Sequence, residues 1–162
     1  MKKLIFLRHA KSNWEVPVSD RNRPLSAKGV KAIQKVALHW KEVFSAAQCI
    51  ISSPANRALH TATILAHTLD YEMKKIKIDP ELYTFNASAL NAYLKKMDDA
   101  FDHLLIVGHN PAFSEVSQNL SSQYVPSLST ASWIELTFDT DFWSKIESGT
   151  SNYGSRKSLE VL

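Results

Sequence analysis

Short apolar runs at residues 3–7, 49–52 and 104–107, with a weaker one at 76–78, are set apart by longer stretches of helical spacing. Runs of this kind need cover on both faces, which a parallel sheet packed between helices provides. The spacing predicts a helix over 28–44, with Ile33, Val36, Ala37 and Trp40 on one face and Ser26 as its N-cap. A second helix is expected after Ser53 and Pro54, running through Leu59, Ala62, Ala66 and Leu69. Further helices are expected over 87–97 and from Pro111 to about Leu120. Residues 132–138 and 142–146 read as strands that form a hairpin. The expected fold is therefore α/β: a single-domain three-layer α/β/α sandwich whose central sheet is mostly parallel, with an antiparallel edge near the C-terminus. Residues 1–147 make up the one folded domain in this reading. Residues 148–162, rich in Ser, Gly and Asn, are expected to be a mobile tail.

A length of 162 residues suits one ordinary core, and 44% hydrophobic with 22% charged residues is the composition of a soluble globular protein. The 19 Lys and Arg exceed the 16 Asp and Glu only slightly, with no basic run dense enough to track a nucleic-acid backbone. A modest anionic ligand fits better. Cys49 is alone, so no internal disulfide can form, and its apolar neighbours mark it as a small buried hydrophobe. The opening MKKLIFLRHA imitates an export signal, but its apolar core is only LIFL before Arg8 and His9 interrupt it. No stretch has the length of a membrane span. Cytoplasmic residence is the expectation.

Open parallel sheets bind ligands in the crevice beyond the carboxyl ends of their strands. Arg8 and His9 follow the first run, Arg57 opens the helix after the second, and His109 follows the third. Two cations and two imidazoles are thus expected around one crevice, beside helix N-termini whose free N–H groups favour anions. Arginine offers planar bidentate donors to phosphate oxygens, so a phosphoryl group is the natural ligand. There is no Gly-rich loop or carboxylate cluster to hold a nucleotide and magnesium, and no metal or other cofactor is expected. A neutral imidazole is a competent nucleophile, and His9, directed by the strand before it, takes that role. His109 stands opposite to stabilise transition-state charge.

These residues resemble the histidine phosphatase superfamily over most of the chain. LRHAKSNW at 7–14, DRNRPLSAKG at 20–29, SSPANRALHTA at 52–62 and VGHNP at 107–111 are similar to its successive blocks, in order. The short length, RHAKS and the RPLS block look most like the SixA group of phosphohistidine phosphatases. The resemblance implies a metal-independent phosphatase with a phosphohistidine intermediate on His9, assisted by Arg8, Arg57 and His109, with Arg23 as a further phosphate contact. Ala10 and Glu15 stand where mutases and broad phosphatases carry Gly and Asn. Their general acid lies in a Leu-x-Glu pattern; here Thr84 takes its place, and Glu81 is offset from it.

The expected substrate is a phosphohistidine protein or a small phosphorylated metabolite, with no nucleic acid or membrane as partner. Two other readings stand beside it: an ester phosphatase or mutase using Glu81 as acid, and a module that binds a phospho-ligand without turnover. The four Trp residues, including Trp14, are read as core or core-edge, with Trp14 also close enough to His9 to wall the pocket.

Overall fold

The computed structural model describes residues 1–159. Its strands are β1 (Lys2–Arg8), β2 (Cys49–Ser52), β3 (Ile76–Ile78), β4 (His103–Gly108), β5 (Trp133–Phe138) and β6 (Thr150–Gly154). They form one sheet in the order β3-β2-β4-β1-β5-β6. The first four strands are mutually parallel, while β5 runs antiparallel to both β1 and β6. The helices are α1 (Ala27–His39), α2 (Lys41–Ser45), α3 (Asn56–Thr68), α4 (Ala87–Leu94), α5 (Ala112–Leu120) and α6 (Arg156–Leu159). Among the described residues, no helix is long and apolar enough to cross a membrane.

Successive strand residues point to opposite faces, so the apolar runs supply two cores. Leu4, Phe6, Ile51, Leu104 and Ile106 pack against α4 and α5. Ile5, Leu7, Ile50, Leu105 and Val107 pack against α1 and α3. Each fully buried side chain of this kind contributes roughly 1.5–3 kcal/mol, which is why the central strands read as continuous apolar runs. Ser26 caps α1 by accepting the Gly29 N–H at 3.1 Å. The helix expected over 28–44 is broken at Trp40, which leaves helical geometry and sets its ring edge-on to Trp133 at 5.5 Å.

Two expectations for the C-terminal part are corrected. Residues 142–146 do not form a strand: Trp143–Lys145 make a 3-10 turn, in which Trp143 and Ile146, three apart, both enter the core. The hairpin partner of β5 is instead β6, inside the segment expected to be a tail. That strand buries only Gly154, so it carries no apolar alternation to read. A side chain at Gly154 would collide with Trp40 and Trp133, and the strand is held by backbone pairing with β5 and by the Ser121 hydroxyl, which donates to Ser151 Oγ at 2.9 Å. Residues 160–162 of that expected tail lie outside the described residues.

Candidate active site

Parallel register brings the ends of β1, β4 and β2 level. Arg8 pairs with Gly108, the His9 N–H donates to the Gly108 carbonyl at 3.1 Å, and the Ser53 N–H donates to the Val107 carbonyl at 3.0 Å. His9 and His109 therefore leave adjacent strands side by side, with ring centroids 5.4 Å apart. Ser53 brings the chain from β2 to Arg57 in the first turn of α3. This helix starts at Asn56 rather than at Pro54, and Ser53 Oγ accepts the Ala55 N–H at 3.2 Å.

Arg8, His9, Arg23, Arg57 and His109, all expected in the site, do converge: the charges of Arg57, Arg8 and Arg23 all bear on the His9 imidazole. Arg57 is 2% exposed and His109 1% exposed, burial that guanidinium and imidazole tolerate only when partnered. Arg8 donates from Nη1 to the Leu128 carbonyl at 2.9 Å. Its Nε, like that of Arg57 and like Nδ1 of His109, is buried without a hydrogen-bond partner among the described residues.

The residue that organises the arginines is Asp20, which the sequence reading did not single out. One carboxylate oxygen accepts from Arg23 Nη2 at 2.7 Å, and the other accepts from Arg57 Nη2 at 3.0 Å and from the Tyr83 hydroxyl. Its carbonyl oxygen accepts from Arg57 Nη1 at 2.6 Å. Arg23 also donates to Ser12 Oγ at 2.6 Å, and its guanidinium lies 3.4 Å from the centre of the Trp14 ring. Trp14 is thus not a core residue: it is 77% exposed and covers the outer face of Arg23. Tyr83 and Phe85 flank His109, with ring centroids at 5.5 and 5.2 Å. A signal for Asp20 did exist, since it precedes Arg23 by three residues in a short turn.

Glu81 is not in this cluster. Its carboxylate is 62% exposed and meets Lys96 Nζ at 3.5 Å. It lines a separate cleft of about 450 Å³ with Lys77, Asp79 and Met97. The 3-10 turn at Pro80–Leu82, with the Glu81 N–H on the Asp79 carboxylate, holds it there.

Electrostatics follow from burial among cations. Burial, opposed by the hydrogen bond to the Ala10 carbonyl and reinforced by the charges of Arg57, Arg8 and Arg23, lowers the His9 pKa to about 4. Burial, then the charges of His9 and Arg57, lowers that of His109 to about 3. Both rings are neutral at pH 7. Partial burial works to raise the Asp20 carboxyl, but hydrogen bonds from Tyr83, Arg23 and Arg57 outweigh it and hold the group well below the usual carboxylate range. The cluster is therefore an anion site with two uncharged imidazoles at its floor.

The chain is similar to proteins of other organisms. An uncharacterised chloroplast protein of Arabidopsis thaliana is 29% identical over 129 residues, covering 74% of this chain, and this chain spans 59% of that protein's length. An uncharacterised protein of Mycobacterium tuberculosis is 26% identical over 153 residues, covering 88% of this chain and 93% of the relative. Among solved structures, the protein histidine phosphatase SixA in complex with tungstate superposes with a TM-score of 0.81 at 22% identity, covering 97% of this chain and 99% of that one. Residues 4–105 match the Histidine phosphatase superfamily (branch 1), a span that contains Arg8, His9, Arg23 and Arg57 and stops four residues short of the second histidine. With His109 placed directly after β4 beside His9, the chain belongs to the histidine phosphatase superfamily, branch 1.

Proposed function

We propose that the protein is a phosphatase that transfers a phosphoryl group to His9 and then to water, acting on phosphohistidine in a protein or on another labile phosphoryl compound. Nδ1 of His9 lies 2.8 Å from the Ala10 carbonyl, which can only accept, so the ring proton is on Nδ1 and the lone pair is on Nε2. That lone pair attacks phosphorus as the bond to the leaving nitrogen breaks, and water then cleaves the N–P bond on His9. Arg8, Arg23 and Arg57, with Asp20 among them, leave a net charge of about +2, matched to a phosphoryl dianion.

The observation that carries the substrate class is the state of the carboxylates. An alkoxide leaving group needs a proton in the transition state, and losing general acid catalysis costs about a hundredfold to ten-thousandfold. Asp20, the carboxylate bonded to the arginine pair, is held ionised, and Glu81 is turned toward Lys96. An imidazole leaving from phosphohistidine is a far weaker base than an alkoxide and departs neutral when already protonated. The structural likeness to SixA, a protein histidine phosphatase, supports the same class.

Rapid quench with labelled phosphohistidine protein should trap an acid-labile, base-stable phosphoenzyme, and its turnover should exceed that of alkyl phosphates by orders of magnitude. An unchanged phosphoenzyme yield in His9→Ala would sink the proposal.

A further inference from the structure

Ser53 Oγ lies 2.8 Å from Nε2 of His109, and hydrogen-bond counting decides which atom donates. Ser53 is fully buried at the end of β2. A hydroxyl carries one proton and two lone pairs. One lone pair receives the Ala55 N–H. The proton has a single hydrogen-bonded acceptor among the described residues, His109 Nε2. If Nε2 were protonated instead, the Ser53 proton would be buried without an acceptor, at a cost of about 1–3 kcal/mol. With Ser53 donating, Nε2 accepts and the ring proton must sit on Nδ1.

We infer that Ser53 is a positioning residue: it holds His109 as the Nδ1–H tautomer, so that Nδ1 offers a proton to a phosphoryl oxygen bound against His9. Two further observations agree. Nδ1 is buried without a protein partner, so it is the nitrogen left for a ligand, and its ring lies beside His9. The tautomer matters because the ring is neutral: a doubly protonated imidazole would donate from both nitrogens, whereas a neutral one in the opposite tautomer would turn a lone pair toward an anionic oxygen. A buried donor aimed at developing negative charge is the type of contact that stabilises a phosphoryl transition state.

This inference rests on the phosphatase reading of the same cleft, and its test separates the two. Nitrogen-15 spectra of labelled histidine in the whole protein, at pH 7.5, should show His109 with a protonated Nδ1 and a bare Nε2. That is the reverse of the form free histidine prefers in water. The resonance is assigned by its loss in His109→Asn. Adding inorganic phosphate should shift the Nδ1–H signal. Ser53→Ala should move the ring toward the Nε2–H form and lower kcat about tenfold to a hundredfold while leaving KM nearly unchanged.

A bare Nδ1 in the wild-type protein overturns the inference, and so does a tautomer that Ser53→Ala leaves alone or an Nδ1–H signal indifferent to phosphate. The wild-type spectrum decides even if Ser53→Ala does not fold. An Nδ1–H ring in a protein that turns over no phosphohistidine or other phosphoryl compound would retire the phosphatase reading and leave the role of Ser53 intact.

Discussion

One oxygen of the Asp20 carboxylate lies 3.0 Å from Arg57 Nη2, and the Asp20 carbonyl takes a second hydrogen bond from Nη1 of the same guanidinium at 2.6 Å. Two of the five guanidinium N–H donors are used in this way, and Nε, buried without a partner, is among those left for a ligand. Asp20 also fixes Arg23 through its other oxygen, so one residue aims both arginines. Asp20→Ala is therefore expected to lower kcat/KM about tenfold to a hundredfold, since hydrogen bonds to charged groups are worth roughly 1.5–3 kcal/mol. Steady-state kinetics on phosphohistidine decides this, and an unchanged kcat/KM would mean that the arginines hold themselves.

Arg57 should tolerate neither Ala nor Lys. Arg57→Ala removes a buried cation from the phosphoryl site and should cost a hundredfold or more in kcat/KM, on the order of 3 kcal/mol. Arg57→Lys should recover only part, because an ammonium lacks the planar fork that bonds Asp20 from Nη1 and Nη2 while leaving Nε for a phosphoryl oxygen. Near-normal rates in either variant would remove Arg57 from the site.

Glu81→Gln should leave phosphohistidine turnover unchanged within twofold or so and alter stability by no more than about 0.5 kcal/mol, since an exposed pair with Lys96 is worth little. Loss of activity on any phosphate ester, together with the basic limb of its pH profile, would identify Glu81 as an acid after all.

Stability should fall as pH drops below about 6.5. The unfolded chain takes up protons at His9 and His109 near that pH, whereas the folded imidazoles, with pKa values of about 4 and 3, do not. The unfolded state then binds more protons, so the folded state loses up to about 1.4 kcal/mol per pH unit for each ring until its folded pKa is reached. Asp20, whose folded pKa is depressed, adds a loss only at still lower pH, once its carboxylate protonates. Urea unfolding at pH 7, 6 and 5 checks this, with His9→Ala expected to show the shallower dependence. Equal slopes for the two proteins would contradict it.

Gly29→Ala should destabilise the fold by about 1–3 kcal/mol, because a Cβ there would run into the Lys11 carbonyl. That carbonyl accepts both the N–H and the hydroxyl of Ser26, which starts α1. Lys11 follows His9 and Ala10 directly, so activity should fall as well. A thermal midpoint equal to that of the wild type would show that Lys11 retreats at no cost.

The central sheet was legible because its strands are buried on both faces, which writes their position into a local apolar run. Arg8, His9 and His109 were legible for a related reason: each stands at or just after a strand end, where an open parallel sheet opens its crevice, and Arg57 opens the helix that follows β2. Strand β6 was not, since only Gly154 of its residues is buried, and residues 142–146 carry a strand-like pattern because the 3-10 turn at Trp143–Lys145 also sends apolar residues inward.

The layered α/β architecture, the placing of Arg8, His9, Arg57 and His109 around the strand ends, and the family are all written in spacings of two to four residues and in short contiguous blocks. The bracing of Arg57 by Asp20 across 37 positions, the hold of Ser53 on His109 across 56, the cover of Trp14 over Arg23 and the turn of Glu81 toward Lys96 are visible only in the folded chain. The physical reason is that such contacts depend on parallel register and on where a loop closes, and a carboxylate two or three residues out of place along a turn meets a lysine instead of an arginine.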